Sequence, residues 1–334
     1  MRVSILGAGQ WGTALAQVLC DAGSDVLIWG RNPAIADEIN NKHKNSKALP
    51  GAILPDGLRA TADVSQAFEH AEMIVLAIPA QSLRDNLLQW RHLFKVNTPI
   101  VSTLKGIELS THLRMTEVMQ EVLEVSEEQL AIITGPNLAR EVVLRQPAGA
   151  VAASTSQSLA DLTAKVFSAP YFRVYTSNDV VGCELAGAAK NVIALAVGMS
   201  IGMGFGENTQ SLVITRGLNE LTRLGIARGA MPLTFVGLAG VGDLLATCGS
   251  PLSRNRSFGE ALGRTGSMQN AMTQVSSTVE GVSTAQAVVE LAHLVGVEAP
   301  IMEAVHEVVS NKITPEQAIK SLMQIHTGAE IDHA

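Results

Sequence analysis

The sequence predicts an α/β protein, with an N-terminal Rossmann-type, mostly parallel sheet followed by a C-terminal all-α domain. Three observations carry this. A glycine-rich turn, Gly7 to Gly12, stands between a short apolar strand and an apolar helix. Short apolar runs then alternate with helix-like stretches as far as Thr176, as in a parallel sheet covered on both faces. From about Asn178 the strand-like runs stop and helical patterns take over. The expected units are a dinucleotide-binding domain, 1–178, and a helical substrate and catalytic domain, 179–334.

Arg2-Val3-Ser4-Ile5-Leu6 reads as the first strand, Thr13 to Ala22 as the first helix and Asp25-Val26-Leu27-Ile28-Trp29 as the second strand. A lone GxGxxG string is weak evidence, and this strand–turn–helix–strand context gives it meaning. Gly7 permits a tight turn, Gly9 lets the backbone approach a pyrophosphate, and Gly12 lets the helix pack closely on the strand. The helix N-terminus then binds phosphate without a basic side chain. Enzymes strict for NAD place Asp or Glu roughly 20 residues beyond the fingerprint. This chain has Gly30-Arg31, so Arg31 is free of a competing carboxylate and suits a ribose 2′-phosphate. NADP(H) is expected to be accepted, with NAD(H) not excluded.

A polar helix-like stretch follows to Lys47, then a loop with Pro50, Gly51, Pro55 and Gly57, and a short helix from Asp63 to His70. Met73 to Ile78 and Pro99 to Leu104 read as buried strands, with a helix through Trp90 between them. A helix from about Thr111 to Leu123, a strand at Ala131 to Thr134 and another at Gly149 to Ser154 come next, then one more helix–strand pair. Ligands of such sheets bind beyond the carboxyl ends of the strands. The fingerprint turn, Pro79, Lys105 and Gly135-Pro136-Asn137 are therefore expected along one edge. Later helices are expected at 180–197, 211–224, 243–248, 283–295 and 301–310. A last one opens at Thr314-Pro315-Glu316-Gln317, a capping box with Pro at the first position. Residues 328–334 are expected to fray.

Composition narrows the function. At 334 residues the chain can build two cores, and 47% hydrophobic content is ordinary for a globular protein. A net charge of −7 without a basic block argues against a nucleic-acid surface. Three cysteines, far apart and odd in number, form no disulfide framework and suit a reducing, cytoplasmic compartment. The first strand begins right after Met1, so no signal peptide fits. Eight histidines lack metal-ligand spacing, and no metal is expected. The apolar stretch Leu185 to Phe205 carries Lys190 and Asn191. A charge at a bilayer centre costs about 2.5–3.5 kcal/mol, so a buried helix is expected and no integral membrane contact.

Lys190 is the most informative residue of the second half. Its helical neighbours Ala186, Gly187, Ile193 and Ala194 are small or apolar, leaving it in a hollow. Burial lowers a lysine pKa toward the range of a general acid or base; a snorkelling structural lysine is the plainer alternative. Asn191 beside it can orient a substrate hydroxyl or close a buried network. In the glycine-rich turn Gly237 to Gly242, Asp243 is placed either as an N-cap or to hold Lys190, with the Thr247 hydroxyl on the same face. Ser253-Arg254-Asn255-Arg256 offers donors that can clasp a phosphate, with Arg254 the best bidentate partner, or else forms an exposed basic loop. Lys105 follows a strand at the cofactor edge.

Taken together, GAGQWG, TLKG around Lys105, GPNLAREV at Gly135 to Val142, AAKNVIALAVG around Lys190, GVGDLLATC and SRNRSFG resemble the bacterial-type NAD(P)-dependent glycerol-3-phosphate dehydrogenases. The match runs in order over nearly the whole chain. The resemblance implies reversible reduction of dihydroxyacetone phosphate to sn-glycerol 3-phosphate, a phospholipid precursor, by a cytoplasmic homodimer. It implies a catalytic group of Lys190, Asn191, Asp243 and Thr247, with Lys190 as proton donor or acceptor. Substrate contacts fall to Lys105, Gly135, Asn137, Lys190, Asp243, Ser253, Arg254 and Asn255. Dinucleotide contacts fall to Gly7, Gly9, Gln10, Trp11, Gly12, Arg31, Lys105, Ala139, Arg254, Val279 and Glu280. The chain departs from the family at Asn137-Leu138, where Ser-Phe is common, and at Gln10, which replaces the usual Ser. Asn137 is still expected to donate a hydrogen bond. Competing readings are a related two-domain hydroxy-acid dehydrogenase, which leaves the SRN cluster unexplained, and a non-catalytic NAD(P) sensor, which leaves Lys190, Asn191, Asp243 and Thr247 unexplained. A methyltransferase shares only the first turn.

Overall fold

Val3 and Ile5 face one side of the first strand and Ser4 and Leu6 the other, all buried, so this strand needs a layer of helices on each face. The computed structural model describes residues 1–275 and 279–324 and supplies both layers. In chain order the sheet half comprises β1 (Arg2–Leu6), α1 (Gln10–Asp21), β2 (Asp25–Trp29), α2 (Pro33–Lys42), β3 (Arg59–Thr61), α3 (Val64–His70), β4 (Met73–Leu76) and α4 (Leu83–Trp90). It continues through β5 (Ile100–Ser102), α5 (Met115–Leu123), β6 (Leu130–Thr134), α6 (Ala139–Val142), β7 (Ala148–Ala153), α7 (Gln157–Phe167) and β8 (Phe172–Ser177). Helices α1, α2 and α7 cover one face, and α3, α4 and α5 the other.

The strand order is β3-β2-β1-β4-β5-β6-β7-β8. Every pairing is parallel except β6–β7, where Ile132 faces Ala153 in antiparallel register. The chain turns back at Gly135 and returns through the short helix α6 to pair β7 antiparallel with β6. The order reverses between β1 and β4, which opens the crevice where doubly wound sheets bind ligands.

After Ser177 every described element is helical: α8 (Val180–Gly202), α9 (Glu207–Ala227), α10 (Asp243–Gly249), α11 (Arg254–Thr265), α12 (Met268–Gln274), α13 (Glu280–Leu294), α14 (Pro300–Val309) and α15 (Pro315–Leu322). Asp179 caps α8, accepting from Gly182 N–H at 2.8 Å, and its other oxygen takes Met231 N–H and the Thr234 hydroxyl. The apolar helix α8 is enclosed by α9, α11, α13 and α14 and forms the axis of the second core. Thr314 and Gln317 form the expected capping box of α15.

Several expectations need correction. Strand β3 went unnoticed because Arg59-Ala60-Thr61 is too short to show a period. Helix α2 is shorter than expected, ending where His43 takes a left-handed conformation, and α5 starts at Met115 rather than near Thr111. The strands at 73 and 100 stop at Leu76 and Ser102, whereas α8 and α9 exceed their predicted spans. Helices α11 and α12 were not anticipated. Two glycines and several polar residues weaken the local signal of α11, and tertiary packing supplies what propensity lacks. Gly198 and Gly202 of α8 lie against Gly259 and Gly263 of α11. A Cβ on any of the four would fall 2.1–2.3 Å from a carbonyl oxygen of the other helix. The fraying expected of 328–334 concerns residues outside those described.

Candidate active site

Gly7 ends β1 with φ +129°, and a Cβ there would lie 2.3 Å from the Ala77 carbonyl oxygen. Gly12 sits inside α1, its Cβ position 2.0 Å from Gly7 O, so the helix closes onto the strand as expected. Gly9 differs: nothing stands within 4 Å of its Cβ position, leaving an open approach to the N-terminus of α1. No acidic side chain occupies that first turn. The Trp11 indole N–H is buried there without a partner in the protein. These features fit a dinucleotide whose pyrophosphate caps α1.

From this point a cleft of about 450 Å³ runs across the sheet edge to α8 and α11. Its walls include Gly7, Gly9, Gln10, Trp11, Arg31 and Ala139 at one end, with Lys190, Asn191, Thr247, Ser253, Arg254 and Asn255 from the helical half; Lys105, Asn137 and Glu280 also line it. Four predicted residues do not line it. Gly12 and Gly135 act through backbone packing, Asp243 lies behind the lysines, and Val279 packs on the helical core. Ala8, Trp29, Ala77, Ile78, Thr103, Leu104, Leu138, Arg140 and Leu252 also line the cleft, although none is among the predicted contacts. Arg140 directly follows Ala139 in the GPNLAREV string, and that adjacency was its only signal. A larger groove of about 750 Å³ beside β7 and β8 brings none of the predicted site residues together.

At the junction of the two halves Asp243 is 2% exposed and binds two ammonium groups. Its carboxylate accepts from Lys105 Nζ at 2.6 Å and from Lys190 Nζ. Lys190 Nζ also donates to Thr247 Oγ1 at 2.7 Å, and that hydroxyl donates to the Asp243 carbonyl oxygen. Lys105 Nζ reaches Gly135 O at 3.2 Å. Of the two roles open to Asp243, the structure shows the lysine-holding one. Asp243 is already helical, its side chain caps nothing, and the cap position falls on Gly242. Gly187 passes beside the arrangement: a Cβ there would lie 3.3 Å from Thr134 Oγ1, a tight fit, and in ordinary contact with the Lys105 stem. Burial pushes the Lys190 pKa down to about 8, opposed by Asp243 and helped by the neighbouring Lys105 charge.

The SRN segment is not a loop. Ser253 caps α11, accepting from Arg256 N–H, so Arg254 and Asn255 occupy the positive first turn of a twelve-residue helix facing the cleft. Arg254 is exposed, whereas Asn255 is buried and its amide is engaged by Asn191 and Gly281. As expected, Asn137 donates a hydrogen bond: one N–H of its amide goes to Gly149 O at 2.9 Å, and its Oδ1 has no partner in the protein.

Comparisons with known proteins place the chain in a family with this two-part architecture. Residues 2–160 match the N-terminal model, and residues 179–320 the C-terminal model, of NAD-dependent glycerol-3-phosphate dehydrogenase. The chain belongs to that family. Glycerol-3-phosphate dehydrogenase (NAD(P)+) of Streptomyces avermitilis is 48% identical over 323 residues, covering 97% of this chain and 96% of the relative. The enzyme of the same name from Corynebacterium glutamicum strain R is 49% identical over 324 residues, covering 97% and 98%. The crystal structure of glycerol-3-phosphate dehydrogenase from Coxiella burnetii superposes with a TM-score of 0.91 at 34% identity, covering 96% of this chain and 98% of that one. A D-mandelate dehydrogenase at 14% identity and a TM-score of 0.60 shares the fold alone. Among the described residues, no group of three or more His, Cys, Asp or Glu is placed to hold a metal ion.

Proposed function

We propose that this member of the glycerol-3-phosphate dehydrogenase family interconverts dihydroxyacetone phosphate and sn-glycerol 3-phosphate with NADP(H) or NAD(H). The observation that carries the reading is the buried Lys190–Asp243–Lys105 group, set between a dinucleotide crevice and the first turn of α11. In this reading residues 1–178 hold the dinucleotide and 179–334 the substrate. Gly7, Gly9, Gln10 and Trp11 seat the pyrophosphate on the helix that Gly12 lets pack against the sheet, Arg31 meets a 2′-phosphate, and Ala139 and Glu280, with Val279 just before it in the chain, complete the cofactor side. A bound nicotinamide supplies the hydride. Ser253, Arg254 and the first-turn N–H groups of α11 hold the substrate phosphate, which fixes its carbonyl beside Lys190. Lys105, Gly135 and Asn137 bound the substrate on the sheet side. As negative charge grows on the carbonyl oxygen, the Lys190 ammonium stabilises it and delivers the proton, held in line by Asp243 and Thr247. The oxidation runs the same steps backwards, with neutral Lys190 as base.

The site also favours this reading over a hydroxy-acid dehydrogenase, because a helix N-terminus with an arginine suits a phosphate dianion. The product would supply the glycerol phosphate backbone of phospholipids from the cytoplasm. We propose a homodimer, a state that sedimentation equilibrium reads directly. The main test follows NADPH absorbance with dihydroxyacetone phosphate, repeated with NADH and with unphosphorylated dihydroxyacetone. Rapid oxidation only with the phosphorylated ketone is expected. Arg31→Ala should weaken NADPH about tenfold, the scale of one charge-assisted hydrogen bond, and leave NADH unchanged. NADPH binding with no turnover would overturn the reaction, and equal NADPH affinity of both proteins would overturn the role of Arg31.

A further inference from the structure

Helix α6 lies alongside α1, and the two run in the same direction. The Gln17 amide of α1 donates to Val143 O at 3.0 Å. Further along both segments, the Arg145 guanidinium grips Asp21 with two hydrogen bonds, at 2.9 and 3.1 Å, and the Tyr171 hydroxyl donates to the same carboxylate at 2.7 Å. Position 17 thus meets 143 and position 21 meets 145, so the residues that precede 143 meet the start of α1. Those residues include Ala139 and Arg140, and both line the cleft together with Gln10 and Trp11. Arg140 is exposed, and it makes no hydrogen bond or ion pair among the described residues. Lys105 and Lys190, by contrast, are held by Asp243. The first turn of α1 offers no carboxylate to compete for the Arg140 guanidinium. A net charge of −7 repels an anionic dinucleotide, so its seat needs local positive charge.

We propose that Arg140 is a further cofactor-binding residue, the countercharge of the dinucleotide diphosphate. The N–H groups at the start of α1 hold the diphosphate, and the planar guanidinium of Arg140 donates to its oxygens alongside them. Arg31 and Arg140 then have separate tasks. Arg31 reads the 2′-phosphate that separates NADP(H) from NAD(H), whereas Arg140 meets the group that both share. The Arg145–Asp21 and Gln17–Val143 ties hold the α6 segment against α1, so only the Arg140 side chain has to be ordered when the cofactor binds. This inference rests on the reading of the crevice as the dinucleotide site.

Binding without turnover tests it. In titrations followed by nucleotide fluorescence, Arg140→Ala is expected to weaken NADPH and NADH by the same factor, about tenfold, the scale of one charge-assisted hydrogen bond. ADP-ribose keeps the diphosphate and lacks both the nicotinamide and the 2′-phosphate. Used as a competitor, it should weaken by that factor too. 2′-AMP has no diphosphate and should compete as well against Arg140→Ala as against the wild type. Arg31→Ala should give the converse pattern, losing NADPH and 2′-AMP and keeping NADH and ADP-ribose. Arg140→Lys keeps the charge without the fork and should recover part of the loss. The NADPH dissociation constant should also depend less on salt in Arg140→Ala than in the wild type. Unchanged affinity for NADH and ADP-ribose in Arg140→Ala would overturn the proposal. A loss confined to NADPH and 2′-AMP would move Arg140 to the 2′-phosphate and overturn it equally. Wild-type protein that binds neither NADPH nor NADH would refute the dinucleotide reading itself, an outcome distinct from wild-type binding that Arg140→Ala leaves intact.

Discussion

In the proposed reaction Lys190 carries the proton, and its charge state then sets the pH behaviour. Burial lowers its pKa to about 8, and Asp243 keeps it from falling further. Reduction needs the protonated form, so kcat in that direction should fall as pH rises through about 8. Oxidation needs the neutral form, so kcat there should rise through the same range. Lys190→Ala should keep NADPH affinity, lose about 10²–10⁴ in kcat and flatten both limbs; near-wild-type kcat would remove Lys190 from the mechanism. The residue was legible in sequence because a lysine among alanines, glycine and isoleucine on an apolar helix demands a partner. Its partner was legible only as one of two roles open to Asp243. Asp243 lies 53 positions away, and only the folded chain shows that its carboxylate holds two lysines rather than capping a helix. Asn137 carries the same lesson, since Gly149 O takes one of its amide N–H groups from across the β6–β7 turn.

At the scale of elements, the site depends on how closely α8 and α11 approach. The four glycines at their crossing let backbone touch backbone, and this sets the distance from Lys190 to the first turn of α11. Gly259→Ala would drive a methyl group to 2.3 Å from Leu195 O. The expected cost is about 1–3 kcal/mol, read by urea unfolding, with KM for the phosphorylated substrate raised more than KM for NADPH. Unchanged stability and unchanged KM would mean that the crossing tolerates separation. Elements with a strong local signal were readable: β1, β2, β4 and β6 as apolar runs, α8 as a long apolar helix, α15 from its capping box. Helix α11 was not, because its glycines lower helix propensity and matter only once a second helix lies against them.

Across the whole molecule, buried charge ties the sheet half to the helical half. Glu184 of α8 accepts from Arg114 at 2.6 Å and from the Thr116 N–H and hydroxyl at the start of α5. Burial, with a smaller push from the Glu117 charge, raises the Glu184 pKa, and the Arg114 charge and the Thr116 hydrogen bonds oppose it. Removing one member of such a pair leaves the other uncompensated. Arg114→Ala should therefore cost about 3–5 kcal/mol of stability, seen as a lower urea midpoint, while Lys190 and the cleft keep their residues. A loss under about 1 kcal/mol would show that Thr116 alone satisfies Glu184.

By itself the sequence determined the order of most strands and helices, the glycine fingerprint, the change of texture near Asn178 and the residue types able to do the chemistry. These are local properties, written in periodicity, turn residues and the fit of a glycine to one position. The tertiary structure decided the partners: the antiparallel return of β7, the carboxylate shared by two lysines, the glycine crossing of α8 and α11, and the pairing of Asn191 with Asn255. Each of these depends on groups brought together across tens of residues, where a hydrogen bond or a 2 Å contact exists only after the chain has folded.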